Sequence, residues 1–153
     1  MKLEDFGPLA PEARIAAMWK IQEIIPEYKK NIVYRCGYWD GILSGHLRWN
    51  NGFFYFACVL DEESHSGLAL EDAEGEIWET RNGQRYYVVV PLTTEEMKQV
   101  VKKHVVFRRE VGRNCDYRRP GPVKNQKTWP AYYDRKWPSL DLKAREVVAW
   151  FRK

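Results

Sequence analysis

Apolar and polar residues recur along this chain with two different periods, and each change of period marks an element. Over residues 11–25, Ile15, Met18, Trp19 and Ile25 follow helical spacing, with Gln22 as one polar exception. Pro11 suits a first helical position, Glu12 favours the positive end of the helix dipole, and Pro26 marks a stop. The spacing therefore predicts a helix over 11–25 with one buried face.

From Ile32 the period shortens towards two. Residues 32–39 read as a strand ended by Asp40-Gly41, and residues 46–49 as a short second strand. Asn50-Asn51-Gly52 is a hairpin turn, because Asn and Gly tolerate positive φ. Residues 53–60 follow as a strand apolar on both sides, and the acidic stretch 61–75 as a loop. Residues 76–80 and 85–91 form a further hairpin around Asn82-Gly83, with Tyr87 and Val89 on one face and Tyr86, Val88 and Val90 on the other.

The longer period then returns. Thr93 is an N-cap, Glu96 completes a capping box, and the helix runs to Val111 with Gly112 as its left-handed stop. Met97, Val100, Val101, His104, Val105 and Phe107 mark its buried side. Residues 113–138 hold few aliphatic residues and many prolines, which predicts an extended arm without a core of its own. Ser139 caps an expected last helix, with Leu140, Ala144, Val147, Val148 and Phe151 as its apolar stripe. The expected fold class is α+β. An antiparallel sheet of about five strands, able to curl into a small open barrel, is flanked by helices. The expected division is a core over 1–112, the arm over 113–138 and a C-terminal amphipathic helix over 139–153.

Composition agrees with one domain. The chain has 153 residues, 44% of them hydrophobic, with seven Trp and nine Tyr. The net charge of +4 conceals a division along the sequence. Residues 61–80 carry eight acids and no Lys or Arg, whereas residues 113–137 carry seven bases against Asp116 and Asp134. No apolar run is long enough to span a membrane, so no membrane contact is expected. The residues after Met1 do not read as a secretory signal. Cys36, Cys58 and Cys115 are odd in number and far apart, which points to a reducing cytoplasm.

The basic arm is the leading candidate site. Arg113, Arg118, Arg119, Lys124, Lys127, Arg135 and Lys136 are suited to phosphates, and Trp129, Tyr132, Tyr133 and Trp137 to stacking on bases. The expected function is a small, non-enzymatic cytoplasmic protein whose arm contacts nucleic acid. The alternative is a protein-interaction or inhibitor module, acting through Asp61, Glu62, Glu63, Glu71, Asp72 and Glu74 or through the C-terminal helix. A third reading is a small hydrolase or nuclease in which Asp40 and His46 act as acid and base, in a groove lined by Trp39, Ser44 and Trp49. Gly41-Ile42-Leu43-Ser44-Gly45 fails the hydrolase elbow pattern, and both phosphate-loop patterns are missing. The histidines and cysteines lack paired metal spacing, so no metal and no cofactor is expected, and His104 reads as a hydrogen-bonded core histidine.

Overall fold

The computed structural model describes residues 1–38, 42–61, 70–71, 77–78, 84–113, 123–124 and 140–153. After a 3₁₀ turn at Leu3–Phe6 come helix α1 (Pro11–Met18), strand β1 (Gln22–Glu23), one helical turn α2 (Tyr28–Asn31) and strand β2 (Ile32–Tyr38). Strands β3 (Ile42–Trp49), β4 (Gly52–Leu60), β5 (Leu70–Glu71), β6 (Ile77–Trp78) and β7 (Tyr86–Leu92) follow. Helix α3 (Thr94–Glu110) and strand β8 (Ala149–Arg152) complete the order. The fold is α+β, built on an open six-stranded sheet in the order β1-β8-β7-β4-β3-β2.

The centre of the sheet follows from its turns. Asn50 and Asn51 take φ of 46° and 62°, the left-handed pair that folds one strand back on the next. Arg48 thereby faces Phe53 across the turn, and Trp49 faces Gly52. Gly52 is required by packing, since a Cβ there would lie 2.8 Å from the Phe54 ring. In β7 the alternation divides as the sequence predicts. Tyr87 and Val89 enter a core with Phe56, Leu47, Ala149 and Phe151, while Val88 and Val90 enter another with Phe6, Met18 and Trp150. The first core is held by aromatic packing, Tyr87 stacking on Phe151 at 4.8 Å with Phe56 edge-on to both. On the other face lie α1 and, through Met97 and Val100, α3.

Several expectations are corrected. The sheet has six strands, and one pair, β1 with β8, is parallel. The helix expected over 11–25 ends at Met18, because Gln22 and Glu23 pair with Ala149 and Trp150 instead. Trp19 and Ile25 are left 71% and 80% exposed. Ile77–Trp78 of the expected strand 76–80 pairs with Leu70–Glu71 in a separate ribbon. Strand β3 begins at Ile42, four residues before the expected start at 46, and Gly45 lies inside it, where an added Cβ would meet Tyr34 and Phe56.

The largest correction concerns residues 139–153. In place of an amphipathic helix, Ala149–Arg152 is a strand inserted between β1 and β7. Val147 and Phe151, which helical spacing put on one stripe, belong to cores on opposite faces of the sheet, and Ala144 and Val148 are exposed. A run rich in Val, Trp and Phe has strand preference, and two adjacent strands supply partners for its backbone. Burial on both faces removes the alternation that would have announced it. Asp40-Gly41 and Asn82-Gly83 lie outside the described residues.

Candidate functional site

Helix α3 carries the base of the candidate nucleic-acid surface. Its start is fixed reciprocally: the Glu96 amide donates to Thr93 Oγ1 at 3.1 Å, and the Thr93 amide donates to Glu96 Oε1 at 2.9 Å. Arg145 donates to both oxygens of Glu96 and, at 2.9 Å, to the Pro91 carbonyl. The Arg145 guanidinium thereby holds the Glu96 carboxyl down to about 2. Met97, Val100, His104 and Phe107 are buried. On the outward side, Lys98, Lys102, Val105 and Arg109 form an exposed stripe at helical spacing. Lys98 is paired with Glu95 at 3.0 Å. The last-turn bases Arg108 and Arg109 also complement the negative end of the helix dipole.

The helix stops as expected. Gly112 has φ 138°, and its amide donates to the Phe107 carbonyl at 3.2 Å. The chain then returns, with Gly112 bridging Val123 and the Lys124 amide donating to the Val111 carbonyl at 2.6 Å. Val123 packs on Phe107 and Val111. Arg113 and Lys124, both exposed, therefore flank one bridge at the basic end of α3. Of the arm residues singled out in the sequence, these two are described. Arg118, Arg119, Lys127, Trp129, Tyr132, Tyr133, Arg135, Lys136 and Trp137 lie outside the described residues. Val105, expected on the buried side of this helix, is 52% exposed and belongs to the stripe instead; the spacing of Lys98, Lys102 and Arg109 was the signal for that outward face.

His46 occupies a different setting from the one expected. Tyr34, His46 and Tyr55 are cross-strand neighbours on β2, β3 and β4, and α3 lays His104 over them. The His104 ring stacks on Tyr34 at 3.8 Å and 8°, and lies 6.1 Å from His46 at 77°. Both imidazoles are buried. Desolvation, with Lys103 nearby, lowers His46 to about 4. Desolvation, then His46, Lys103 and Arg108, lowers His104 to about 3. Both are neutral at pH 7. His104 is a core histidine, but its buried Nδ1 finds no hydrogen-bond partner among the described residues. His46 therefore sits beneath α3, closed from solvent. Trp49, which the sequence grouped with it, packs against the other core; Asp40 and Trp39 lie outside the described residues.

The acidic candidates divide similarly. Asp61 is 1% exposed, with Arg85 Nε at 3.1 Å from its carboxylate, so it is an interior ion-paired group and not part of an open acidic surface. Glu62, Glu63, Asp72 and Glu74 lie outside the described residues, and Glu71 is placed by its backbone alone, in β5. Burial pushes the Cys58 thiol up to about 11, and it donates to the Leu60 carbonyl at 3.2 Å, which makes it unreactive at neutral pH. Among the described residues no group of three metal-ligating side chains forms, and no helix is long and apolar enough to cross a membrane.

A cleft of about 610 Å³ opens beside the β3–β4 turn, between that turn and α2. Lys30 and Arg48 bring cations to it, Trp49 and Phe53 bring rings, and Asn50 and Asn51 bring carboxamides. The Arg48 guanidinium is held 5.1 Å from the centre of the Phe53 ring. Glu27 shares the α2 wall, where its amide donates to Asn31 Oδ1 at 2.7 Å.

No protein-family model, curated protein or solved structure matches this chain. What it can do is read from its own residues.

Proposed function

We propose that this is a small, non-enzymatic cytoplasmic protein that binds single-stranded nucleic acid through the basic aromatic arm 113–138. The outward stripe of α3 would extend the same cationic surface. The observation that carries this reading is the Gly112–Val123 bridge, beside which Arg113 and Lys124 stand exposed at the basic end of α3. Bases gathered in this way attract phosphates and release their counterions. In this reading Trp129, Tyr132, Tyr133 and Trp137 stack on bases, each stack contributing about 1–3 kcal/mol.

The test is fluorescence anisotropy with single-stranded DNA and RNA between about 50 and 200 mM salt. Each neutralised phosphate contributes about 0.7 to the slope of log affinity against log salt. A variant with Lys102, Arg109, Arg113 and Lys124 changed to Gln should lower that slope by about 3. All four residues are exposed, so circular dichroism should show an unchanged fold. An unchanged slope and affinity would rule the reading out.

A further inference from the structure

We propose that the cleft between α2 and the β3–β4 turn binds a nucleoside monophosphate unit, a planar base carrying a phosphate. Its volume of about 610 Å³ falls in the range of small-ligand sites. Its chemistry pairs an anion site with ring surfaces. Arg48 is exposed at the wall, its guanidinium held over Phe53, and no described carboxylate pairs with it. Held in this way, the planar fork keeps its N–H donors for an anion, and two parallel bonds to phosphate oxygens are the geometry it favours. Lys30, from the opposite wall, adds a second positive charge. Trp49 and Phe53, both half-buried, line the cleft and give it apolar surface against which a base can lie.

The turn itself adds the polar edge. Both central residues need φ above zero, a demand that Gly meets at least steric cost. Asn at both positions, with φ of 46° and 62°, meets it while setting two carboxamides at the rim. An Asn carboxamide can donate to and accept from a base edge together. Glu27, on the α2 wall, can accept from a ribose hydroxyl or a base amino group. A divalent cation does not fit this donor set, which has a single carboxylate among its lining side chains. None of these residues belongs to the arm or to the α3 stripe, so this site stands or falls apart from the proposed nucleic-acid surface.

The experiment is isothermal titration calorimetry of the full chain with AMP, UMP and inorganic phosphate. Saturable binding of a mononucleotide, one per chain, is expected. Arg48→Gln should weaken it at least tenfold. Asn51→Gly, which keeps the turn, should weaken AMP more than inorganic phosphate. Arg48 is exposed and Asn51→Gly suits the backbone, so neither variant should disturb folding. Displacement of AMP by a 5′-phosphorylated trinucleotide would identify a strand end as the source of the unit; failure of displacement, with AMP bound, would identify free nucleotide. No binding of either mononucleotide, undiminished binding by Arg48→Gln, or inorganic phosphate binding as tightly as AMP would each overturn the proposal. Loss of oligonucleotide affinity in the Lys102, Arg109, Arg113 and Lys124 variant, with AMP binding retained, would separate the two surfaces.

Discussion

Acidification from pH 7 to pH 5 is expected to remove about 4 kcal/mol of folding stability through His46 and His104. Folded, the two imidazoles are lowered to about 4 and about 3; unfolded, both return to about 6.5. The unfolded chain therefore binds protons that the folded chain excludes. Stability falls as pH drops below about 6.5 and continues to fall until the folded values are reached. At pH 5 each histidine lies about 1.5 units below its unfolded value and above its folded one, a loss of about 2 kcal/mol apiece. Lys103 and Arg108 of α3 act in the same direction, because each opposes a further positive charge. Glu96, held down to about 2, is ionised in both states at pH 5 and contributes almost nothing in this window. A loss of about 4 kcal/mol is a large share of the 5–15 kcal/mol typical of a domain. Urea denaturation at pH 7, 6 and 5 reads it directly, with a constant m-value as the control. His104→Phe, which keeps a ring against Tyr34 and removes the unpartnered Nδ1, should halve the loss; adding His46→Gln should nearly abolish it. A double variant that loses as much as the parent refutes the reasoning.

Three further outcomes are expected. Glu96→Gln should cost about 1.5–3 kcal/mol at pH 7, by weakening charge-assisted bonds from Arg145. Because the folded Glu96 value is depressed from 4.5 to about 2, that stabilisation is complete above about pH 4.5. It declines progressively as pH falls from 4.5 towards 2, so the difference between parent and variant in denaturation curves should shrink across the upper part of that window. Gly45→Ala should destabilise by about 1–3 kcal/mol or more, since its Cβ would lie 2.3 Å from the Tyr34 carbonyl oxygen and 2.8 Å from the Phe56 ring. A Tm equal to the parent's would contradict that packing. Phe151→Ala, deleting a fully buried ring stacked on Tyr87, should cost about 3–5 kcal/mol in urea unfolding; a cost below about 1 kcal/mol would remove β8 from the core.

The features legible in the sequence are those written locally. Asn50-Asn51, the Thr93 and Glu96 capping box, the Gly112 stop and the alternation of Tyr86 to Val90 each depend on neighbours a few residues apart, and each forms as expected. Strand β1 was hidden because its two residues, Gln22 and Glu23, are polar and exposed and become a strand only beside β8. Strand β8 was misread because its residues bury on both faces, which gives a short apolar run no diagnostic period. The convergence of His46 with His104, and of Lys30 with Arg48 and Phe53, is tertiary. Neither spacing in sequence nor composition carries it. Hairpin geometry could have supplied only the turn side of the cleft, Asn50 and Asn51 with Arg48 opposite Phe53 and Trp49 opposite Gly52.

The place of β8 has a consequence for biosynthesis. Residues 22 and 23 acquire their ladder partner only when residues 149 and 150 have been made, so a ribosome that has finished β7 and α3 still holds a sheet with an open seam beside Val88 and Val89. During that interval the unpaired edge of β7 is a template for foreign strands. Pulse-chase proteolysis on stalled nascent chains should accordingly show protection arriving in one late step, after Arg152 clears the exit tunnel.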